Sequence, residues 1–152
     1  MSDASNNSSI HQLIPYLSVR GAALAIEFYQ KAFGAEETFR LTEPGGRIGH
    51  AELKFGPMTL MLADEYPEYG FNSPLSLGGT GLTIQMVVDN VDVLARRAVD
   101  AGAKMIREPK DEFYGERTCR VEDPFGHQWS LASPIEVVSP EEMQRRFDAL
   151  IK

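Results

Sequence analysis

An internal repeat limits how this chain can fold more than any other feature. "KFGPMTLMLA" (Lys54–Ala63) matches "PFGHQWSLAS" (Pro124–Ser133), and "KAFGA" (Lys31–Ala35) matches "VDAGA" (Val99–Ala103), each pair displaced by roughly 70 residues. In the first copy, "LIPYLSV" (Leu13–Val19) reads as a strand. The segment "GAALAIEFYQKAFGA" follows as a helix, with Leu24, Phe28 and Ala32 or Phe33 at helical spacing and Gly34 to end it. "EETFRLTE", "IGHAELKF" and "MTLMLAD" then read as three strands, the first two joined by a "PGG" turn. From Leu82 the order returns: "LTIQMVV" is a strand and Val91–Ala101 a helix stopped by Gly102, with Leu94, Ala98 and Val99 inward. "KMIREP", "RTCRVE" and "HQWSLA" close the second copy.

The expected fold class is therefore α+β: two βαβββ modules forming a curled mixed sheet around a cavity, plus a C-terminal helix. The modules run over about residues 12–64 and 81–134, with a linker at 65–80 and a helical tail at 135–152. The linker's "YPEYGFNSPLSLGGTG" is long enough to lie over a ligand. In the tail, "SPEEMQRRFDALIK" offers Ser139 as N-cap, Pro140 at the first helical position and Glu142 three residues after the cap, with Met143, Phe147 and Leu150 along one face. That face is expected to dock on its own domain or on a partner subunit.

Composition narrows the partners. A net charge of −7 without any run of basic residues disfavours nucleic acid and anionic membranes. Cys119 is the sole cysteine, so no intrachain disulfide forms and nothing points to an oxidising compartment. The start, "MSDASNNSSI", lacks the basic and apolar runs of a signal peptide and reads as a disordered lead-in over residues 1–9. A cytoplasmic location is expected.

"YGERTCRVEDPFGHQWSLA" (Tyr114–Ala132) gathers most of the polar chemistry. Asp123-Pro124-Phe125-Gly126 has type I turn residues, and a left-handed Gly126 closes a three-residue hairpin loop. That register pairs Glu122 with Gln128, Val121 with Trp129, Arg120 with Ser130 and Cys119 with Leu131. Cys119, Val121, Trp129 and Leu131 then share a buried face, with Cys119 an inert core thiol; Thr118, Arg120, Glu122, Gln128, Ser130 and Ala132 share the other. The same register in the first module puts His50, Glu52, Met58, Leu60 and Leu62 on the equivalent face. Apolar residues among polar ones on that side suggest a ligand cavity rather than a solvated sheet. Tyr16 on the first strand and Gln85 on the fifth alternate onto it, and Phe71 could add an aromatic wall.

The paired βαβββ pattern, with "SVRGAALAIEFYQKAFGA", "GHAELKFG" and "YGERTCRVEDPFGHQWSLA", resembles the glyoxalase/bleomycin-resistance/dioxygenase (vicinal oxygen chelate) superfamily over about residues 11–134, and most nearly its PhnB-like branch. Metal-dependent members take His, Glu or Gln ligands from the first and last strands of each module. The positions that correspond here are Ile14, Leu60, Thr83 and Ser130, none a good ligand for a divalent ion. The resemblance therefore implies a member without the usual metal site. His50 with Glu52 is the nucleus of an unconventional divalent site, or His50 simply hydrogen-bonds a ligand or a carboxylate; His11 lies by the lead-in and His127 on the core side. Arg120 either pairs with Glu52 or Glu122, or binds an anionic or carbonyl group through its planar fork. Tyr114, Glu116 and Arg117 are placed at the cavity mouth.

The reading that follows is a metal-free protein binding a small organic ligand through Tyr16, His50, Glu52, Leu60, Gln85, Tyr114, Arg120, Glu122, Gln128 and Ser130. The alternatives are an enzyme of the same superfamily, either metal-dependent or using acid–base groups, and an interaction module with a vestigial cavity. The family's habit of pairing implies a homodimer.

Overall fold

The computed structural model describes residues 8–151; the expected lead-in lies outside the described residues up to position 7, and Ser8 and Ser9 form neither helix nor strand. The first module comprises β1 (Tyr16–Val19), α1 (Ala22–Phe33), β2 (Glu36–Thr42), β3 (Ile48–Phe55) and β4 (Met58–Asp64). The second repeats the order as β5 (Thr83–Val87), α3 (Val91–Ala101), β6 (Lys104–Asp111), β7 (Glu116–Glu122) and β8 (Gln128–Pro134). A short α2 (Pro74–Leu77) lies in the linker, and α4 (Pro140–Leu150) forms the tail. Each module builds one four-stranded mixed sheet, in the orders β1-β4-β3-β2 and β5-β8-β7-β6, with the first strand parallel to the last. The α+β repeat and the C-terminal helix are as the sequence predicts.

The modules share one core. α1 buries Ala22, Ala25, Ile26, Phe28, Tyr29 and Ala32, and α3 buries Val91, Ala95 and Ala98. The alanines let the two helices approach closely, and that contact selects the buried stripe, leaving the expected inward residue Leu24 63% exposed. From the second sheet, Trp129 stacks on Phe55 of the first at 5.7 Å and meets Phe33 at 5.0 Å and Tyr29 at 5.4 Å. Because the helix-side faces of both sheets enter this common core, their opposite faces, called open faces below, lie on the outside. The sheets are not closed around one cavity within a chain.

Asp123 ties the turn of the second module to the helix of the first. Its carboxylate accepts from the Tyr29 hydroxyl at 2.5 Å, from Trp129 Nε1 at 2.9 Å, and from the backbone N–H groups of Phe125 and His127, each at 2.9 Å. Burial first, then the adjacent carboxylate, push the Tyr29 phenol well above its ordinary pKa. His127 Nε2 donates to the Ser18 carbonyl at 2.9 Å, on the core side as expected.

The β7–β8 hairpin has the expected register throughout, with Gly126 at φ 88°. The β3–β4 hairpin does not follow it. Its loop is the two residues Gly56 and Pro57, with Gly56 at φ 58°, so Phe55 pairs with Met58 and Leu53 with Leu60. One fewer loop residue moves every β4 side chain to the other face. Leu60, expected in the ligand cavity, is therefore a core residue at 4% exposure, and Leu62 joins it.

The linker is also ordered. Glu65 accepts from the Ser73 hydroxyl at 2.6 Å and its backbone N–H at 3.0 Å, and from the Ser76 hydroxyl. In the tail, Ser139 accepts from the Glu142 N–H at 3.1 Å, while the Glu142 carboxylate turns to Arg145 and Arg146 instead of closing the capping box. Phe147 meets Phe113 at 5.9 Å, yet no α4 residue is buried.

Candidate functional site

On the open face of the first sheet, strand register aligns Tyr16 with Met61, Met61 with Glu52, and Glu52 with Phe39; Leu41 lies opposite His50. The side chains connect. The Tyr16 hydroxyl lies 2.6 Å from His50 Nδ1, and His50 Nε2 lies 2.9 Å from a Glu52 oxygen. A carboxylate can only accept, so in the neutral ring Nε2 carries the proton, and Nδ1 is free to accept from Tyr16. Burial, then the Glu52 charge, raise the Tyr16 phenol above its ordinary value, which keeps it the donor. Its oxygen retains acceptor capacity for a ligand.

Aromatic rings surround this chain. Phe71 meets Tyr16 edge-on at 5.6 Å, and Phe39 packs against His50 at 5.6 Å. Tyr16 also lines a cleft of about 450 Å³ with Gly49, Ala63, Tyr66, Tyr69 and Phe71. Gly49 allows this shape, since a Cβ there would sit 3.0 Å from the Tyr66 hydroxyl. Tyr66 is fixed by Arg47, whose guanidinium lies 3.8 Å over its ring, and donates to Glu43 at 2.5 Å. Phe39 and Leu41 remain 43% and 60% exposed, an apolar surface beside polar groups that can orient a ligand.

The open face of the second sheet carries a cross-strand row of Arg107, Arg120, Ser130 and Gln85. Ser130 donates to Gln85 at 3.4 Å, and Gln128 donates to Glu122 at 2.6 Å. Neither expected acidic partner reaches Arg120, since Glu52 is held by His50 and Glu122 by Gln128. Arg120 Nε is buried without a hydrogen-bond partner, as is Thr118 Oγ1 two residues earlier. A buried polar group left unsatisfied costs about 1–3 kcal/mol.

Not every expected site residue gathers here. Tyr114 sits in the turn before β7 against Phe113 at 5.1 Å, a turn that engages the tail through Arg146 and the Phe113 carbonyl. Arg117 points to the helix side, where it binds Asp92 at 2.7 Å and Asp111 at 2.9 Å. Phe39, Met61 and Arg107 are additions. Alternation could have reached Phe39 and Arg107, but register shifts in β2 and β6 hide it. Burial pushes the Cys119 thiol up to about 11, consistent with an inert core residue.

The metal-ligand positions of the resemblance also change. Ile14 precedes β1 and Leu60 is in the core, so the first-module pair facing the open side is Tyr16 and Met61. In the second sheet Thr83 and Ser130 keep their expected side, with Gln85 opposite Ser130, so the set is a phenol, a thioether, an amide and two hydroxyls, which does not suit a hard or borderline divalent ion. Among the described residues no three His, Cys, Asp or Glu side chains group together, so His50 and Glu52 find no third ligand of those types. Among the described residues no helix is long and apolar enough to cross a membrane.

Similarity to known proteins follows the repeat. An uncharacterised protein of Mycobacterium bovis is 44% identical over 135 residues, covering 87% of this chain and 89% of that protein. The crystal structure of an Arabidopsis thaliana gene product superposes with a TM-score of 0.65 at 26% identity, over 82% of this chain and 98% of that one. A genomically encoded fosfomycin resistance protein from Listeria monocytogenes, complexed with Mn(II) and sulfate, shares the fold at a TM-score of 0.63 and 18% identity, over 92% and 98% of the two chains. Residues 9–131 match the sequence profile of the Glyoxalase/Bleomycin resistance protein/Dioxygenase superfamily, from before β1 into β8 of the second module. The chain belongs to that superfamily.

Proposed function

We propose that this protein binds a small organic ligand on its open faces, with the cleft beside Tyr16 as the principal pocket, and that it does so without a metal. The observation that carries the reading is the hydrogen-bonded Tyr16–His50–Glu52 chain at the edge of an aromatic cleft of about 450 Å³. Rings supply apolar contact, and the Tyr16 oxygen supplies one oriented polar atom, the combination small-molecule sites use. The donor set of Tyr16, Met61, Gln85 and Ser130 supports independence from metal. A PhnB-like member, a cytoplasmic location and a homodimer complete the proposal. The last is supported by apolar residues left exposed on the open faces and the tail, among them Val87, Leu41 and Leu150.

One observation favours a second reading, an acid–base enzyme. Tyr16 hydrogen-bonded to a histidine that is itself held by a carboxylate can pass a proton to His50 while taking one from a ligand. The two readings share the same pocket.

A thermal-shift screen of planar aromatic and small oxygenated compounds tests the proposal. A compound that raises the melting temperature of the wild type but not of His50→Ala is the expected result. A blank screen would favour an interaction module with a vestigial cavity.

A further inference from the structure

The second open face has a chemistry of its own. Strand register places Lys104, Arg107, Lys110 and Arg120 on it, although the chain as a whole carries a net charge of −7. The carboxylates near them include Glu122, opposite Lys104 and hydrogen-bonded to Gln128, Glu116 at the start of β7, and Glu108, next to Arg107 on β6. Neither Arg107 nor Arg120 joins an ion pair among the described residues, whereas Arg117, Arg145 and Arg146 each hold carboxylates. At the centre of this basic face, Arg120 Nε and Thr118 Oγ1 are buried and unpartnered. Thr118 is only 1% exposed.

We propose that this face is a binding site for an organic carboxylate, gripped by the Arg120 fork with Arg107, Ser130 and Gln85 alongside. The proposal rests on the reading that the open faces bind small molecules, and names the ligand's chemical class. A guanidinium whose Nε edge is free presents two parallel N–H donors, which match the two oxygens of a carboxylate. Ser130, opposite Arg120 on β8, adds a hydroxyl, and Gln85, opposite Ser130 on β5, adds an amide. A planar carboxylate suits this face better than a phosphate. β7 and β8 are both internal strands, so their backbone N–H groups are committed to the sheet and cannot form the amide cradle that phosphate sites use.

The experiment follows the arginine Nε–H and histidine ring signals by ¹H–¹⁵N NMR during titration with benzoate, benzamide and inorganic phosphate. Benzoate is expected to shift the Arg120 Nε–H signal, with benzamide silent and phosphate weaker. Arg120→Lys, which keeps the charge but loses the fork, should weaken benzoate roughly tenfold, and Arg107→Gln should weaken it less. A wild-type Arg120 signal that benzoate leaves unmoved overturns the proposal, whether or not the variants fold. Equal shifts from benzamide, or tighter binding of phosphate, overturn the carboxylate assignment. Benzoate moving the His50 ring and not Arg120 would leave the Tyr16 pocket standing and remove this site. Benzoate moving Arg120 while no compound moves His50 would do the reverse.

Discussion

Asp123 receives four hydrogen bonds at 2% exposure, and two of their donors, Tyr29 and Trp129, belong to different modules. Replacing it by alanine strands the phenol, the indole N–H and two backbone N–H groups in the core. Asp123→Ala should lose on the order of 3 kcal/mol or more in chemical denaturation, and Tyr29→Phe, which removes one donor to the carboxylate, about 1.5–3 kcal/mol. An Asp123→Ala loss below that of Tyr29→Phe would contradict the account. Arg120 shows the opposite condition, a charged side chain whose Nε has no partner at all. Residues that close the core are satisfied internally, while the unsatisfied ones lie on an open face.

At the scale of elements, legibility depends on loop length. The DPFG hairpin can be read residue by residue because its Asp, Pro and Gly each have one good place in a type I turn. "KFGPM" has no such signature. Gly56-Pro57 closes in two residues, so Leu60 changes faces and the partner of Tyr16 becomes Met61. His50 and Glu52 are legible regardless, because β3 precedes the turn and its alternation does not depend on the loop. The Gly, Pro and Ser content of the linker reads as a loose segment lying over a ligand, but Glu65 organises it through Ser73 and Ser76. Those hydrogen bonds lower the Glu65 carboxyl to about 2. A depressed acid stabilises the folded form fully above its unfolded value, near the ordinary 4.5, and that contribution disappears as pH falls toward about 2. Hydrogen exchange of residues 65–78 should therefore lose protection across this window in the wild type, and Glu65→Gln should show less protection at neutral pH with little further loss on acidification. Identical pH profiles for the two proteins would contradict the role given to Glu65.

For the whole molecule, one shared core sets what the chain can present. The helices and the Trp129 cluster lie between the two sheets, so the aromatic face of one sheet and the basic face of the other point outward. A single chain cannot enclose a ligand between them, whereas a second copy can cover a face. Sedimentation equilibrium is expected to show a dimer; a monomer at all concentrations would remove the homodimer from the proposal and leave two separate surface sites. In the proposed binding mode the Tyr16–His50–Glu52 chain meets the ligand. Long-range ¹H–¹⁵N spectra of the imidazole rings test it most directly, because His127, buried and donating to the Ser18 carbonyl, is an internal control. The free protein should show His50 with the proton on Nε2, and a ligand from the thermal screen should shift the His50 nitrogens while leaving those of His127 in place. A ligand that stabilises the protein yet leaves His50 unmoved would contradict the account.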